Sequence, residues 1–164
     1  MLSFVDIYRT HHKTIYRYFL YVTANTSLAE ELTQETFFQA FLSCGTFKEQ
    51  SAPLTWLMAI ARRVYLKHLR QDKKHLHLDT VQNPVCPSRE NKPEHAWDNK
   101  ELSREIIQVL QLMPEAYRTV IILREIEECS FEEIGAVLEK SPASVRVILS
   151  RAKKRFRELY CQKI

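Results

Sequence analysis

A chain of 164 residues with 45% hydrophobic side chains can fold as one medium domain or as two small ones. Its formal charge of +4 is mild, but seven basic residues stand against Glu158 alone within residues 142–164, a local cluster that favours an anionic partner. Only Gly45 and Gly135 occur, so no glycine-rich phosphate loop can be built, which excludes most nucleotide-binding enzymes.

The pattern is helical nearly throughout. Phe4, Tyr8, His11, Ile15, Phe19 and Val22 recur at three- and four-residue spacing and predict a first helix with that face buried. Ser27 with Glu30 fits a capping box that opens a second helix, to about Leu42. Gly45 and the polar run Thr46–Ser51 predict a loop. Pro53 then suits the first turn of a long helix to about Lys74, because its missing N–H would have no partner there.

Residues 79–100 hold Pro84, Pro87 and Pro93 and little apolar surface, which predicts a linker that cannot offset its ordering entropy. Fully extended it spans about 70 Å, or about two turns of duplex. A second unit begins near Asn99, where Leu102, Ile106, Val109 and Met113 form a stripe closed by Pro114. A helix from Glu115 to about Glu127 follows. Ser130 with Glu133 predicts a capping box for a short helix to Leu138, and Ser141-Pro142 starts the last helix. Short helix, tight turn, longer basic helix is helix-turn-helix organisation. The expected fold class is all-α: two small helical domains, 1–78 and 101–164, joined by a flexible linker over 79–100.

Three helices carry candidate chemistry. On the last, Val145, Ile148 or Leu149, Ala152, Phe156 and Leu159 line the inner side. Ser144, Arg146, Val147, Ser150, Arg151, Lys154 and Arg157 face out. Major-groove reading needs side chains near a helix N-terminus that reach base edges, with cations beyond them for phosphate. Arg146 is the base-edge candidate, since its fork can donate twice to guanine; Lys153, Lys154, Arg155 and Arg157 are placed for the backbone. The alternative is a solvated basic helix end favoured by the macrodipole.

On the helix from Pro53, Leu57, Ile60, Ala61 and Val64 make an apolar stripe, while Arg63, Lys67, Arg70 and Lys74 form a cationic rail for phosphate. Phe41, Phe47, Trp56 and Tyr65 lie close by; single-stranded bases need such π-faces beside cations. For the aromatics the favoured role is core, with stacking as the alternative; for the rail the favoured role is phosphate contact, with a solvated face as the alternative. On the second helix Glu31, Gln34, Glu35 and Phe38 share a face suited to a basic partner surface; the alternative is a plain solvated helix.

The cysteines Cys44, Cys86, Cys129 and Cys161 form no CxxC pair. With no signal peptide they read as reduced thiols of a cytoplasmic protein. His75, His77 and Cys86 match no zinc spacing, and no metal or cofactor is expected. The apolar stretch Ile15–Ala24, interrupted by Arg17, is too short to cross a bilayer.

With these pieces in place, the chain resembles the extracytoplasmic-function sigma factors of bacterial RNA polymerase over nearly all its length. Ala29-Glu30-Glu31-Leu32-Thr33-Gln34-Glu35-Thr36-Phe37 is similar to that family's polymerase-binding motif, and Trp56 through Arg62 to the start of its promoter-melting helix. Leu112 through Arg118, Phe131 through Ile134, and Val145-Arg146 with Leu149 through Lys153 resemble its −35-reading domain. The resemblance implies an alternative sigma factor, not an enzyme, that binds core RNA polymerase through Glu31, Gln34, Glu35 and Phe38. It further implies −10 contacts at Phe47, Trp56, Arg62, Arg63, Lys67 and Arg70, and capture of a flipped base in the loop 43–55. The −35 contacts would fall on Ser144, Arg146, Val147, Ser150, Arg151 and Lys154. Implied partners are core polymerase, promoter DNA and an anti-sigma factor, without a small-molecule substrate. Three departures stand out: Arg63 where the family commonly has asparagine, Glu139 where it has glycine after the short helix, and Ala143-Ser144-Val145-Arg146-Val147-Ile148 where the reading helix commonly starts Gly-Thr-Val-Lys-Ser-Arg, so that Val147 and Ile148 cannot donate hydrogen bonds.

Overall fold

The computed structural model describes residues 3–47, 51–76 and 100–163, and every regular element among them is helical. Helix α1 (Phe4–Thr23) is capped by Ser3, whose hydroxyl accepts the Val5 N–H, and stops at Ala24, a left-handed residue with φ 54°. Helix α2 (Thr26–Ser43) starts from Asn25, whose side chain accepts the Leu28 N–H at 3.0 Å. The expected Ser27 box is therefore a correction: the chain re-enters helix directly after the left-handed Ala24, and Ser27 falls inside the first turn. A 3-10 turn over Cys44–Thr46 leads toward α3 (Pro53–Leu76), which begins at the expected proline.

The face expected to be buried on α1 also shifts. Ile7, Ile15, Tyr18, Phe19, Tyr21 and Val22 are buried, Phe4 and His11 only half so, and Tyr8 is exposed. The C-terminal half of α1 is enclosed on two sides, by α2 and α3 and by helices from residues 100–163. Inside this first unit, the Thr33 and Thr36 hydroxyls donate to the Ala29 and Leu32 carbonyls at 2.6 and 2.7 Å, so both threonines are buried without an orphan polar group.

Residues 100–163 supply α4 (Lys100–Gln111), α5 (Glu115–Ile121), α6 (Phe131–Leu138) and α7 (Pro142–Lys163). The linker expected over 79–100 lies outside the described residues apart from Lys100. The helix expected from Glu115 to Glu127 is not continuous α-helix: a π turn occupies Ile122–Ile126, with the Glu127 N–H donating five residues back to the Ile122 carbonyl at 3.0 Å. The two units pack directly, and one apolar cluster runs from Ile15, Tyr18, Leu57 and Met58 into Leu110, Met113, Val120 and Ile121.

Helix α6 opens on the expected capping box. The Ser130 hydroxyl accepts the Glu133 N–H, and the Ser130 N–H donates to the Glu133 carboxylate at 2.7 Å. It ends in a Schellman-type turn, the Lys140 N–H donating to the Gly135 carbonyl at 2.9 Å. A Cβ on Gly135 would lie 2.6 Å from the Lys140 carbonyl oxygen, so only glycine allows this close return of the chain.

Glu139 occupies the left-handed position of that turn, φ 56° and ψ 44°. Left-handed backbone costs an L-residue about 1–2 kcal/mol, against about 0.5–1 kcal/mol of added chain entropy for glycine. Glu139→Gly is therefore expected to stabilise the protein by up to about 1 kcal/mol, read as a melting temperature raised by about 2–4 °C. A lowered melting temperature would contradict the strain.

Candidate nucleic-acid and protein interfaces

Three surfaces follow from this packing. On α2, Glu31, Gln34 and Phe38 are exposed, and Glu35 is half-buried, its carboxylate accepting a bond from Gln39 Nε2 at 2.8 Å. Phe41 and Leu42 are exposed near them. These side chains do not stand alone. A groove of about 720 Å³ between α2 and α3 is lined by Glu31, Gln34, Glu35 and Phe38 on one wall and by Arg63, Lys67, His68 and Gln71 on the other. Residues that sequence reasoning assigned to two separate partners thus share one cleft with an acidic and a basic side.

Helix α3 divides its arginines. Arg63, Lys67, Arg70 and Lys74 are all exposed, as expected of a rail. Arg62 is one residue, hence about 100°, away around the helix, and it turns toward the other unit. Its Nε and Nη2 each donate to the Glu115 carboxylate at 3.0 Å, in a two-pronged pair whose side chains are 16% and 15% exposed. Glu115 also accepts from the Thr119 hydroxyl at 2.9 Å. Helical spacing sets Arg62 off the Arg63 rail, but its pairing with Glu115 is decided by the position of α5.

The aromatic residues divide as well. Phe47 lies against Trp56 with ring centroids 4.7 Å apart, and both are half-buried at the unit's edge. Tyr65 is core: it donates its hydroxyl to the Val22 carbonyl at 3.1 Å, and burial pushes its ionisation upward. Phe41 is neither core nor beside Trp56. It meets Phe4 edge-on at 5.4 Å and stays exposed.

Helix α7 is the third surface. Val145, Leu149 and Ala152 are buried, with Leu149 rather than Ile148 taking the inner position. Ser144, Arg146, Val147, Ser150, Arg151, Lys154 and Arg157 are all exposed. Ser141 Oγ accepts the Ser144 N–H at 3.2 Å and so satisfies one free donor of the first turn. Not every cation is available. Lys153 pairs with Glu125 at 2.7 Å and Arg155 with Glu158 at 3.4 Å, whereas among the described residues Arg151, Lys154 and Arg157 make no ion pair.

Arg146 has a partner that sequence reasoning missed. Its guanidinium carbon lies 4.9 Å from the Phe131 ring centroid, and that of Arg124 lies 4.5 Å from the same ring. A cation over an aromatic face is held in place while its N–H groups stay free to donate. Phe131 is the first residue of α6, so the turn between α6 and α7 fixes this contact. Among the described residues no His, Cys, Asp or Glu cluster could hold a metal, and no helix is long and apolar enough to cross a membrane. His77 and Cys86 lie outside the described residues.

Comparison with known proteins places these surfaces in context. The sequence profile of sigma-70 region 2 matches residues 7–75, and that of sigma-70 region 4 matches residues 103–156. "RNA polymerase sigma factor YlaC" of Bacillus subtilis is 30% identical over 152 residues, covering 92% of this chain and 88% of that protein. "ECF RNA polymerase sigma factor SigM" of the same organism is 27% identical over 156 residues, covering 94% and 93%. Among solved structures, the sigma factor RpoE in complex with the anti-sigma factor NepR from Bartonella quintana superimposes with a TM-score of 0.75 at 19% identity, over 95% of each chain. That likeness concerns the fold.

Proposed function

The chain belongs to the extracytoplasmic-function group of the sigma-70 family, and from that premise we propose that it is an alternative sigma factor for a restricted promoter set. It binds core RNA polymerase, recognises −35 and −10 elements and aids melting of the duplex. The observation that carries this reading is the face of α7, where Arg146, Arg151, Lys154 and Arg157 are exposed behind a tightly capped turn. A helix end that merely completes a macrodipole would not need an arginine braced on an aromatic ring.

In this proposal Glu31, Gln34, Glu35 and Phe38 dock on polymerase. Phe47, Trp56, Arg62, Arg63, Lys67 and Arg70 meet the −10 strand. Ser144, Arg146, Val147, Ser150, Arg151 and Lys154 read the −35 major groove. Because Arg63 and Lys67 line the same groove as the docking residues, the −10 strand passes beside the polymerase contact rather than away from it. Val147 cannot donate a hydrogen bond and suits a thymine methyl. The protein works in the cytoplasm as an initiation factor, and phosphoryl transfer belongs to the polymerase. A partner of the anti-sigma class, as NepR is to RpoE, is proposed as its regulator.

The docking assignment is tested by Gln34→Ala combined with Glu35→Lys. Among the described residues neither side chain has a hydrogen bond or ion pair beyond its own helix, so helicity is kept. A reversed charge at a complementary contact is expected to weaken competition for core polymerase by about tenfold or more. Normal competition would show the docking face to be elsewhere. The reading assignment is tested by Arg146→Ala, expected to cost about 1–3 kcal/mol of promoter affinity and to relax one −35 position. Equal initiation by mutant and parent across a randomised −35 library would refute it.

A further inference from the structure

At the helix-turn-helix, two arginines from separate segments rest on one aromatic ring. Resting on the sigma-factor reading, we propose that Phe131 is a positioning residue for −35 selection: its ring holds the Arg146 guanidinium in one orientation, so that the arginine discriminates at a single base position.

Arg146 is the fifth residue of α7. Cβ bonds in an α-helix tilt toward its N-terminus, so this side chain leans back over the turn that precedes α7. There it meets the first residue of α6, its guanidinium carbon 4.9 Å from the Phe131 centroid. Arg124 reaches the same ring from the π turn, at 4.5 Å. Each partner is itself tied down. The Ser130–Glu133 box fixes the backbone on which Phe131 stands, with bonds of 2.7 and 3.1 Å. Arg124 Nη1 donates to the Cys129 carbonyl at 2.9 Å. The close return at Gly135 sets α7 against α6, and Ser141 holds the first turn of α7.

The charges give the ring its purpose. Both guanidinium carbons lie within about 5 Å of one centroid, so the two cations are less than about 10 Å apart, inside one Debye length. Among the described residues neither arginine makes an ion pair with a carboxylate. Like charges so placed repel, and the negative face of an aromatic ring offsets that repulsion while the N–H groups stay free. Arg124 is half-buried and Arg146 exposed, so Arg146 is the one that reaches a groove. A freely rotating arginine can turn aside from a base that does not match its fork. One held on a ring cannot, and the mismatch is then felt as unpaired donors. Phe131 is half-buried and also packs against the apolar cluster. A plug for that cluster needs bulk alone, whereas a rest for arginine needs the π face. Substitution separates the two roles.

The test uses the full-length chain with core polymerase free of other sigma subunits, initiating on a randomised −35 library. Arg146→Ala identifies the base position that the arginine reads. Phe131→Leu keeps apolar bulk and removes the π face; it is expected to reduce discrimination at that position about two- to fivefold, the size of an exposed cation–π contact. Other positions should be unchanged, and Phe131→Tyr should read as the parent does. Adding Phe131→Leu to Arg146→Ala should change nothing further, because the ring acts through the arginine. In the free protein the Arg146 Nε–H resonance, assigned by its loss in Arg146→Ala, should carry a ring-current shift that Phe131→Leu abolishes. A folded Phe131→Leu with full discrimination, an equal loss at every position, or an additive double variant would each overturn the proposal. Should Phe131→Leu fail to fold, the parent and Phe131→Tyr decide: an Arg146 resonance without a ring-current shift, or relaxed reading by the tyrosine variant, overturns it. Failure of the wider reading looks different. If Arg146→Ala keeps every preference, α7 does not read through Arg146 and both fall. If the parent does not initiate at all, the sigma-factor reading falls, and the same library scored by duplex binding decides the role of Phe131.

Discussion

The end of α1 is where the two halves of the molecule become one. The last carbonyls of any α-helix lack intrahelical partners and must find them elsewhere when buried. Here Gln111 donates to the Tyr21 carbonyl at 2.9 Å, and the Val22 carbonyl accepts from Arg118 at 2.8 Å and from Tyr65 at 3.1 Å. Helix α1 has no basic residue in its own last turn, so Arg118 supplies from the other unit the positive charge that its dipole favours. Around these bonds Tyr18 is fully buried with its hydroxyl 3.3 Å from that of Thr119, an environment in which burial strongly favours the neutral phenol. The placement of α4 and α5, and through them of α7, follows from satisfying α1.

At this junction polar bonds stand beside the apolar cluster that runs from Ile15, Tyr18, Leu57 and Met58 into Leu110, Met113, Val120 and Ile121. Neutral hydrogen bonds contribute about 1 kcal/mol each and charged ones about 1.5–3 kcal/mol, while a buried donor without a partner costs about 1–3 kcal/mol. Among the described residues Arg118 Nε is such a donor, so part of what the Val22 contact contributes is offset within the same side chain. The proposed reading surfaces lie outside this junction: Arg151, Lys154 and Arg157 on α7 and Arg63, Lys67 and Arg70 on α3 remain in solvent.

Much of this was legible in the sequence, because helix starts and inner stripes are local properties. Pro53, the Ser130–Glu133 box, the inner positions Val145 and Ala152, and the outer positions of α7 all follow from spacing and capping chemistry. What escaped was set by tertiary neighbours. Sequence spacing placed Ile15, Phe19 and Val22 inside, as found, but Phe4, Tyr8 and His11 are half-buried or exposed, and packing on two sides buries Tyr18 and Tyr21 instead. Spacing sets Arg62 off the Arg63 rail, but only the position of α5 gives it its partner Glu115. The π turn at Ile122–Ile126 has no strong local signature, yet it precedes the residue that holds Arg17. Phe131 as a rest for Arg146 was hidden for the same reason, since the two are fifteen positions apart and meet only across the turn.

The most direct measurement is transcription by core RNA polymerase free of other sigma subunits, on fragmented genomic DNA, with start sites mapped in the presence and absence of this protein. The result expected is a small set of new starts that depend on the protein and share a common pair of upstream elements. Unchanged start sites, together with specific duplex binding by the protein alone, would contradict the assignment and make it a free-standing helix-turn-helix regulator.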